Sequence, residues 1–303
     1  MPATPPIRTA VVPAAGIGTR MLPASKSVPK ELLPIVDRPA LQFVVDEAVG
    51  AGVDHLVIVT SSSKPAIRHY FEPSAEVDRI LRAQGRADVA DRLARIGRDV
   101  RVTFVEQDQA RGLGHAVGCA RAAVGDQPFF VMLPDELMAD SSLLVDLAAE
   151  GAESGVGAVA LKRVPPADVV RYGIVDPVGD VRVNDRVNVR VNDQRVRFVE
   201  VVETPSANEA PSDLAIIGRY ALTPDIFDDI ASLRPAASGE IQLTDALAAQ
   251  GRRSPLVGVI SRVGRRDVGN PLGWLQAVVE AGVRHPDLGD QFRNWLREFG
   301  ALD

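Results

Sequence analysis

The sequence predicts an α/β fold: a Rossmann-like mixed, mostly parallel sheet flanked by helices, with a smaller β-rich region in the second half. Two patterns carry this prediction. Residues 7–12, 55–60, 102–105 and 129–133 are short apolar runs rich in β-branched residues, which read as buried strands. Helical patterns separate them, and strands alternating with helices imply a parallel sheet covered on both faces. Ligands on such sheets sit beyond the carboxyl ends of the strands. The loop after Val12 and the turns after Val105 and Leu133 share that edge.

In chain order, Leu41, Val44, Val45, Ala48 and Val49 mark one face of a helix, which Gly50 and Gly52 end. Residues 64–71, 77–96 and 115–124 also read as helices. In the second half, residues 156–164, 173–177 and 195–202 are strand-like. Val181-Arg-Val-Asn-Asp185 recurs as Val189-Arg-Val-Asn-Asp193, which reads as a hairpin insertion with Asn-Asp turns. Helices return at 224–233, 243–250 and 271–283. A final amphipathic segment, 288–299, carries Phe292, Trp295, Leu296 and Phe299. No low-complexity linker intervenes, so residues 1–303 read as one catalytic unit of two lobes, about 7–165 and about 166–303.

Apolar residues make up 46% of the chain and charged residues 24%, as in an ordinary globular protein. No apolar run reaches the roughly 18 residues of a membrane span, and the first residues lack the basic and apolar regions of a signal peptide. The single cysteine, Cys119, excludes internal disulfides and a multi-cysteine metal cage. The expected setting is the cytoplasm. A net charge of −6 argues against nucleic acid as a partner, so any phosphate site must be a local basic pocket.

The loop Val11-Val-Pro-Ala-Ala-Gly-Ile-Gly-Thr-Arg20, followed by Pro29-Lys30-Glu31-Leu-Leu-Pro34, suits a nucleoside triphosphate. Its small residues leave backbone N–H groups bare for phosphate oxygens, and Arg20 and Lys30 add positive charge. It lacks the third glycine of the dinucleotide fingerprint and the Gly-Lys-Ser/Thr of a P-loop. An ordinary strand-to-helix turn would also use two glycines; the two cations favour phosphate.

Asp135, in Leu133-Pro-Asp135, is placed either to hold a hydrated Mg2+ or to cap a helix. Asp267 could share that ion, or pair with Arg265 or Arg266. Gln107 with Gly112-Leu-Gly-His-Ala116 could read a pyrimidine edge, or simply begin a helix. His115 reads as structural and Cys119 as buried and inert.

These motifs, with Tyr172-Gly-Ile-Val-Asp176, Leu214-Ala-Ile-Ile-Gly-Arg-Tyr220, Gly239-Glu-Ile-Gln-Leu-Thr-Asp245 and Asp267-Val-Gly-Asn270, span nearly the whole chain. Together they resemble the bacterial UTP–glucose-1-phosphate uridylyltransferases, of the sugar-nucleotide nucleotidyltransferase superfamily. The resemblance implies a nucleotide-binding first lobe and a sugar-binding second lobe. It implies that Ala15 and Gly16 meet uracil through their backbone, with Gln107 and Gly112 completing the base pocket. Gly18, Thr19 and Glu31 would complete the nucleotide site. Arg20 and Lys30 would be the catalytic cations on the triphosphate, and Asp135 and Asp267 would hold the Mg2+ cofactor. Gly173, Glu203, Thr204 and Gly218 would line the sugar pocket, with Glu240 nearby. The implied partners are UTP and a sugar 1-phosphate, in a homodimer or homotetramer.

One position departs from the family pattern. The resemblance places a lysine after Glu203, where this chain has Thr204. A hydroxyl in place of an ammonium on a desolvated phosphate forfeits ~1.5–3 kcal/mol. Arg219 and Lys162 are the candidates to restore it. The departure leaves two other readings open: another sugar 1-phosphate or dTTP as substrate, or a weakened nucleotide-binding regulatory paralogue.

Overall fold

A computed structural model describes residues 6–178, 194–236 and 238–300, so the repeated 181–193 segment lies outside the described residues. The first half runs β1 (Thr9–Pro13), β2 (Pro34–Ile35), β3 (Arg38–Pro39), α1 (Ala40–Gly50), β4 (His55–Thr60), α2 (Pro65–Phe71), α3 (Ala75–Ala83), α4 (Ala87–Arg95), β5 (Arg101–Glu106), α5 (Leu113–Cys119), α6 (Arg121–Val124), β6 (Phe129–Met132), β7 (Glu136–Met138) and α7 (Ser142–Ser154). The second runs β8 (Ala158–Arg163), β9 (Gly173–Pro177), β10 (Arg195–Glu203), β11 (Leu214–Leu222), α8 (Ile226–Ser232), α9 (Leu243–Arg253), β12 (Leu256–Ile260), β13 (Arg265–Asp267), α10 (Pro271–Arg284) and α11 (Gly289–Phe299).

One sheet of nine strands, ordered β5-β4-β1-β6-β11-β8-β12-β10-β9, takes strands from both halves of the chain. Its first-half strands pair in parallel, β5 with β4, β4 with β1 and β1 with β6. From β11 onward the pairings are antiparallel, except that β12 lies parallel to β8. The sheet is therefore mixed, with the parallel character confined largely to the region the alternating pattern identified.

Each face carries its own core. Leu41 and Val44 of α1 and Leu143, Leu144 and Leu147 of α7 cover one. Val117 of α5, Phe227 of α8 and Leu247 of α9 cover the other. Strand β11 is buried at all of its residues, as a strand covered on both faces must be. Residues 77–96 form two helices rather than one, because Gly85 adopts a left-handed φ of 72° between α3 and α4. Residues 115–124 likewise divide into α5 and α6. No helix among the described residues is long and apolar enough to cross a membrane.

Strand ends position the site. Parallel β5, β1 and β6 deliver Gln107, the loop after Pro13, and Leu133-Pro-Asp135 to one edge. Leu133 N–H bonds to Gly218 O of β11 at 2.9 Å. The short β7–β13 ribbon sets Asp267 opposite Glu136 and so brings the chain's distant aspartate beside Asp135.

Candidate functional site

The loop after β1 is held from beneath by a buried ion pair. Lys64 Nζ lies 2.9 Å from Glu31 Oε2, and the Glu31 residue is only 1% exposed. The same ammonium donates to Ala14 O at 2.8 Å and Gly16 O at 2.5 Å, so all three of its donors are used. Across a planar trans peptide, C=O and N–H point oppositely. Pinning the carbonyls of Ala14 and Gly16 inward therefore turns the N–H groups of Ala15 and Ile17 away from Lys64. Burial pushes the Glu31 carboxyl above its ordinary range, with Lys64 and Lys30 opposing. Burial also lowers the Lys64 ammonium, with Glu31 opposing. Glu31 is thus a support of the loop, its buried carboxylate engaged by Lys64 from beneath.

Above this support Gly16 is open, since a Cβ placed on it would meet nothing within 4 Å, and Thr19 is exposed. Gly18 has a left-handed φ of 74°, and a Cβ there would come within 3.1 Å of the Lys30 side chain. Gly18 is needed for its own backbone angle and for seating Lys30.

Charge converges on Asp135. Lys30 Nζ lies 2.5 Å from its Oδ2, and Arg20 Nη2 lies 3.9 Å away. Burial alone would lower the Lys30 ammonium, but Asp135 and Glu31 outweigh it and hold it above its ordinary value. Burial alone would raise the Asp135 carboxyl, but Lys30 and Arg20 hold it below the usual carboxylate range. Lys30 therefore rests on the carboxylate rather than on open space for phosphate. Gly269 marks where the groups meet: a Cβ there would lie 2.7 Å from Asp135 Oδ2, 3.1 Å from Asp267 Oδ1 and 3.2 Å from Arg20 Nη2. Asp267 pairs with neither neighbouring arginine. Arg265 pairs with Glu136 and Arg266 with Glu280, while Arg171 Nη2 comes within 3.6 Å of Asp267.

A cleft of about 190 Å³ opens beside these carboxylates, lined among others by Arg20, Arg171, Tyr172, Glu203, Gly218 and Thr244. Glycines let its walls pack closely. At Gly173 a Cβ would meet Thr244 Cγ2 at 2.8 Å and Glu203 Oε2 at 3.2 Å; at Gly218 it would meet Leu133 Cβ at 2.6 Å. Solvent reaches Glu203 through the cleft. The surrounding protein nevertheless raises its carboxyl by desolvation, Asp245 and Glu240 add to that, and Thr244 opposes it. Glu240 itself bonds to Gln242 Nε2 at 2.6 Å, and the adjoining Gln242 and Thr244 line the cleft in its stead.

On the nucleobase side, Gln107 is buried, and its Nε2 contacts Gly112 O at 3.3 Å and His115 Nδ1 at 2.8 Å. The space over Gly112 is taken by protein: a Cβ would lie 2.6 Å from Ile241 O, at a φ of 90°. Gly114 N–H bonds that same carbonyl at 2.9 Å. These glycines admit residues 240–242 as close neighbours.

Neither candidate for replacing the missing lysine serves. Arg219 is 0% exposed and spends its donors on Glu47, Leu133 O, Gly218 O and Glu136 O. Lys162 is exposed on β8 and does not line the cleft. Arg171 does, and sequence reasoning missed it, as it missed Lys64. Thr204 adopts a left-handed φ of 44°, unusual for a β-branched residue, and donates its N–H to Tyr172 O at 3.0 Å.

Comparison with known proteins identifies the family. The family model described as nucleotidyl transferase matches residues 9–281. A UTP–glucose-1-phosphate uridylyltransferase of Escherichia coli (strain K12) is 42% identical over 299 residues, covering 96% of each chain. A second, from Staphylococcus saprophyticus, is 37% identical over 96% of this chain and 98% of its own. Among solved structures, a UDP-glucose pyrophosphorylase from Acinetobacter baumannii superposes with a TM-score of 0.85 at 37% identity, over 97% of this chain and 99% of its own. One complexed with UDP-glucose gives a TM-score of 0.79 at 33% identity, over 92% of this chain and 100% of its own. The chain belongs to the nucleotidyl transferase family.

Proposed function

We propose that this chain transfers the uridylyl group of UTP to glucose 1-phosphate, giving UDP-glucose and pyrophosphate. The convergence of Asp135, Asp267, Arg20 and Lys30 beside the Glu203 cleft carries the reading. A phosphate oxygen of glucose 1-phosphate attacks the α-phosphorus of UTP in line. The bond to the bridging oxygen breaks, and pyrophosphate leaves with that electron pair. The nucleophile is already an anion, so no covalent enzyme intermediate is required. The protein's task is to align two polyanions and cancel their repulsion.

The backbone of Ala15, Gly16, Gly18 and Thr19 receives the nucleotide, and Gln107 beside Gly112 faces the base. Arg20 stabilises charge on the triphosphate, and Lys30 joins it by rotating away from Asp135. Two carboxylate oxygens converging from Asp135 and Asp267 fit Mg2+, which commonly binds one or two protein carboxylates together with substrate phosphates. Bound there, the ion would withdraw charge from the phosphate oxygens. Glu203 accepts hydrogen bonds from glucose hydroxyls, with Gly173 and Gly218 letting the walls of the sugar cleft pack closely. Arg171 supplies the positive charge that Thr204 lacks, so the substitution calls for neither a different sugar nor a silent paralogue. Assembly as a homodimer or homotetramer in the cytoplasm completes the proposal, and light scattering in solution reads the assembly.

The test is pyrophosphate release with UTP or dTTP against a panel of sugar 1-phosphates. UTP with glucose 1-phosphate is expected to give the highest kcat/KM. Release that is absent with that pair, or faster with another, would overturn the assignment.

A further inference from the structure

We infer that His115 sets which pyrimidine the site accepts, by holding the Gln107 amide with its oxygen toward the nucleotide. The inference rests on the placement of the base beside Gln107 proposed above. The amide nitrogen carries two hydrogens and has two partners: Gly112 O at 3.3 Å and His115 Nδ1 at 2.8 Å. A carbonyl oxygen can only accept, so the reversed amide would set Gln107 Oε1 against Gly112 O, acceptor against acceptor. In the orientation that avoids this, both hydrogens are spent within the protein. Oε1 is the polar atom left for a ligand.

That leaves His115 Nδ1 as an acceptor, with the ring neutral and its proton on Nε2. The surroundings favour this form. Burial lowers the His115 pKa below that of an ordinary histidine and Arg111 adds to that, against an opposing Asp108. The other group at the ring is Cys119, whose Sγ lies 4.0 Å from both ring nitrogens.

An acceptor-only reader discriminates pyrimidines. The pairing edge of uracil donates only through N3–H, so Oε1 must meet that hydrogen. Cytosine in the same place would oppose Oε1 with the N3 lone pair, and a buried mismatch of acceptors is penalised. His115 touches no substrate in this arrangement; it is a positioning residue acting through Gln107.

The test compares kcat/KM for UTP and CTP, with glucose 1-phosphate fixed, in wild type, His115→Phe, His115→Asn and Gln107→Ala. His115→Phe removes the acceptor and is expected to lower the UTP:CTP ratio roughly tenfold or more. His115→Asn, which keeps an acceptor close to the position of Nδ1, is expected to retain most of the ratio. His115→Leu replaces the phenylalanine variant if that one does not fold. A role in folding alone would slow both nucleotides together and leave the ratio unmoved. An unchanged ratio in His115→Phe alongside a collapsed ratio in Gln107→Ala would overturn the role of His115. An unchanged ratio in Gln107→Ala as well would overturn the placement of the base itself.

Discussion

The two sides of the cleft solve different problems with different materials. The side formed by the first loop is built from charge. Lys64 and Glu31 are paired in the interior beneath it, and Lys30 and Arg20 gather on Asp135. The side formed by β9, β10, β11 and α9 is built from close packing around glycines. Gly173 lets Thr244 and Glu203 come close, Gly218 does the same for Leu133, and the carboxylate this side presents to the cleft is Glu203. A triphosphate undergoing substitution develops charge, and fixed charges placed beforehand stabilise it without reorganising. A sugar is neutral over most of its surface, so shape and an acceptor suffice. Arg171 lines the cleft between the two sides, 3.6 Å from Asp267, and is the cation proposed to meet the phosphate of the sugar.

The largest expected effect comes from the point where charge is densest. Asp135→Ala is expected to lower kcat by about a thousandfold or more while the fold survives. Near-wild-type pyrophosphate release in that variant would remove Asp135 from the chemistry.

The support of the loop can be separated from its stability. Lys64→Met strands the Glu31 carboxylate in the interior and is expected to cost about 3–5 kcal/mol in denaturant unfolding. Adding Glu31→Gln to it removes the stranded charge and is expected to return much of the stability. The KM for UTP is expected to stay raised in the double variant, because the carbonyls of Ala14 and Gly16 remain unpinned. A double variant with normal KM would reduce the pair to a structural element.

On the sugar side, Arg171→Gln is expected to raise the KM for glucose 1-phosphate by ~10- to 100-fold, with a smaller change for UTP. Equal changes for both substrates would place Arg171 on shared ground instead. A pH profile sharpens the same contrast. The Glu203 carboxyl is raised, so it protonates at a higher pH than an ordinary glutamate as acidity increases. The protonated form is a poorer acceptor, so the KM for glucose 1-phosphate is expected to climb on the acid side, and this step should vanish in Glu203→Gln. The same acid-side step in Glu203→Gln would assign it to the substrate's phosphate.

The smallest effect is expected at Thr204. Its left-handed φ is strained for a β-branched residue, and Thr204→Gly is expected to stabilise the fold by about 1 kcal/mol, keeping the N–H bond to Tyr172 O. A thermal melt reads this; a fall in Tm would mean that the threonine side chain makes a stabilising contact.

The contrast between the two sides also governs what the sequence reveals. The strand at 55–60 is legible to the residue, because a parallel strand buried on both faces must be a continuous apolar run. Strand β11 is as deeply buried, yet Gly218 and Arg219 interrupt its pattern, and it reads as a motif rather than a strand. Nothing local announces that Arg219 is interior, since its partner Glu47 lies 172 positions earlier. Asp135 and Asp267 are legible as a candidate pair from their similar settings, but the β7–β13 ribbon that brings them together, three residues per strand, is too short to read in the sequence. Lys64 reads as the start of a helix, and its role depends on carbonyls about 50 positions away that carry no side-chain signal. Motif residues are legible because they recur as a pattern, while their supports are set by three-dimensional contact alone.

The most direct measurement is a crystal structure of the protein with UTP and Mg2+. The triphosphate is expected over Gly16 and Gly18, with Mg2+ held by Asp135 and Asp267 and Arg20 beside the phosphates. A nucleotide bound away from this edge, or an ion held by neither aspartate, would contradict that placement.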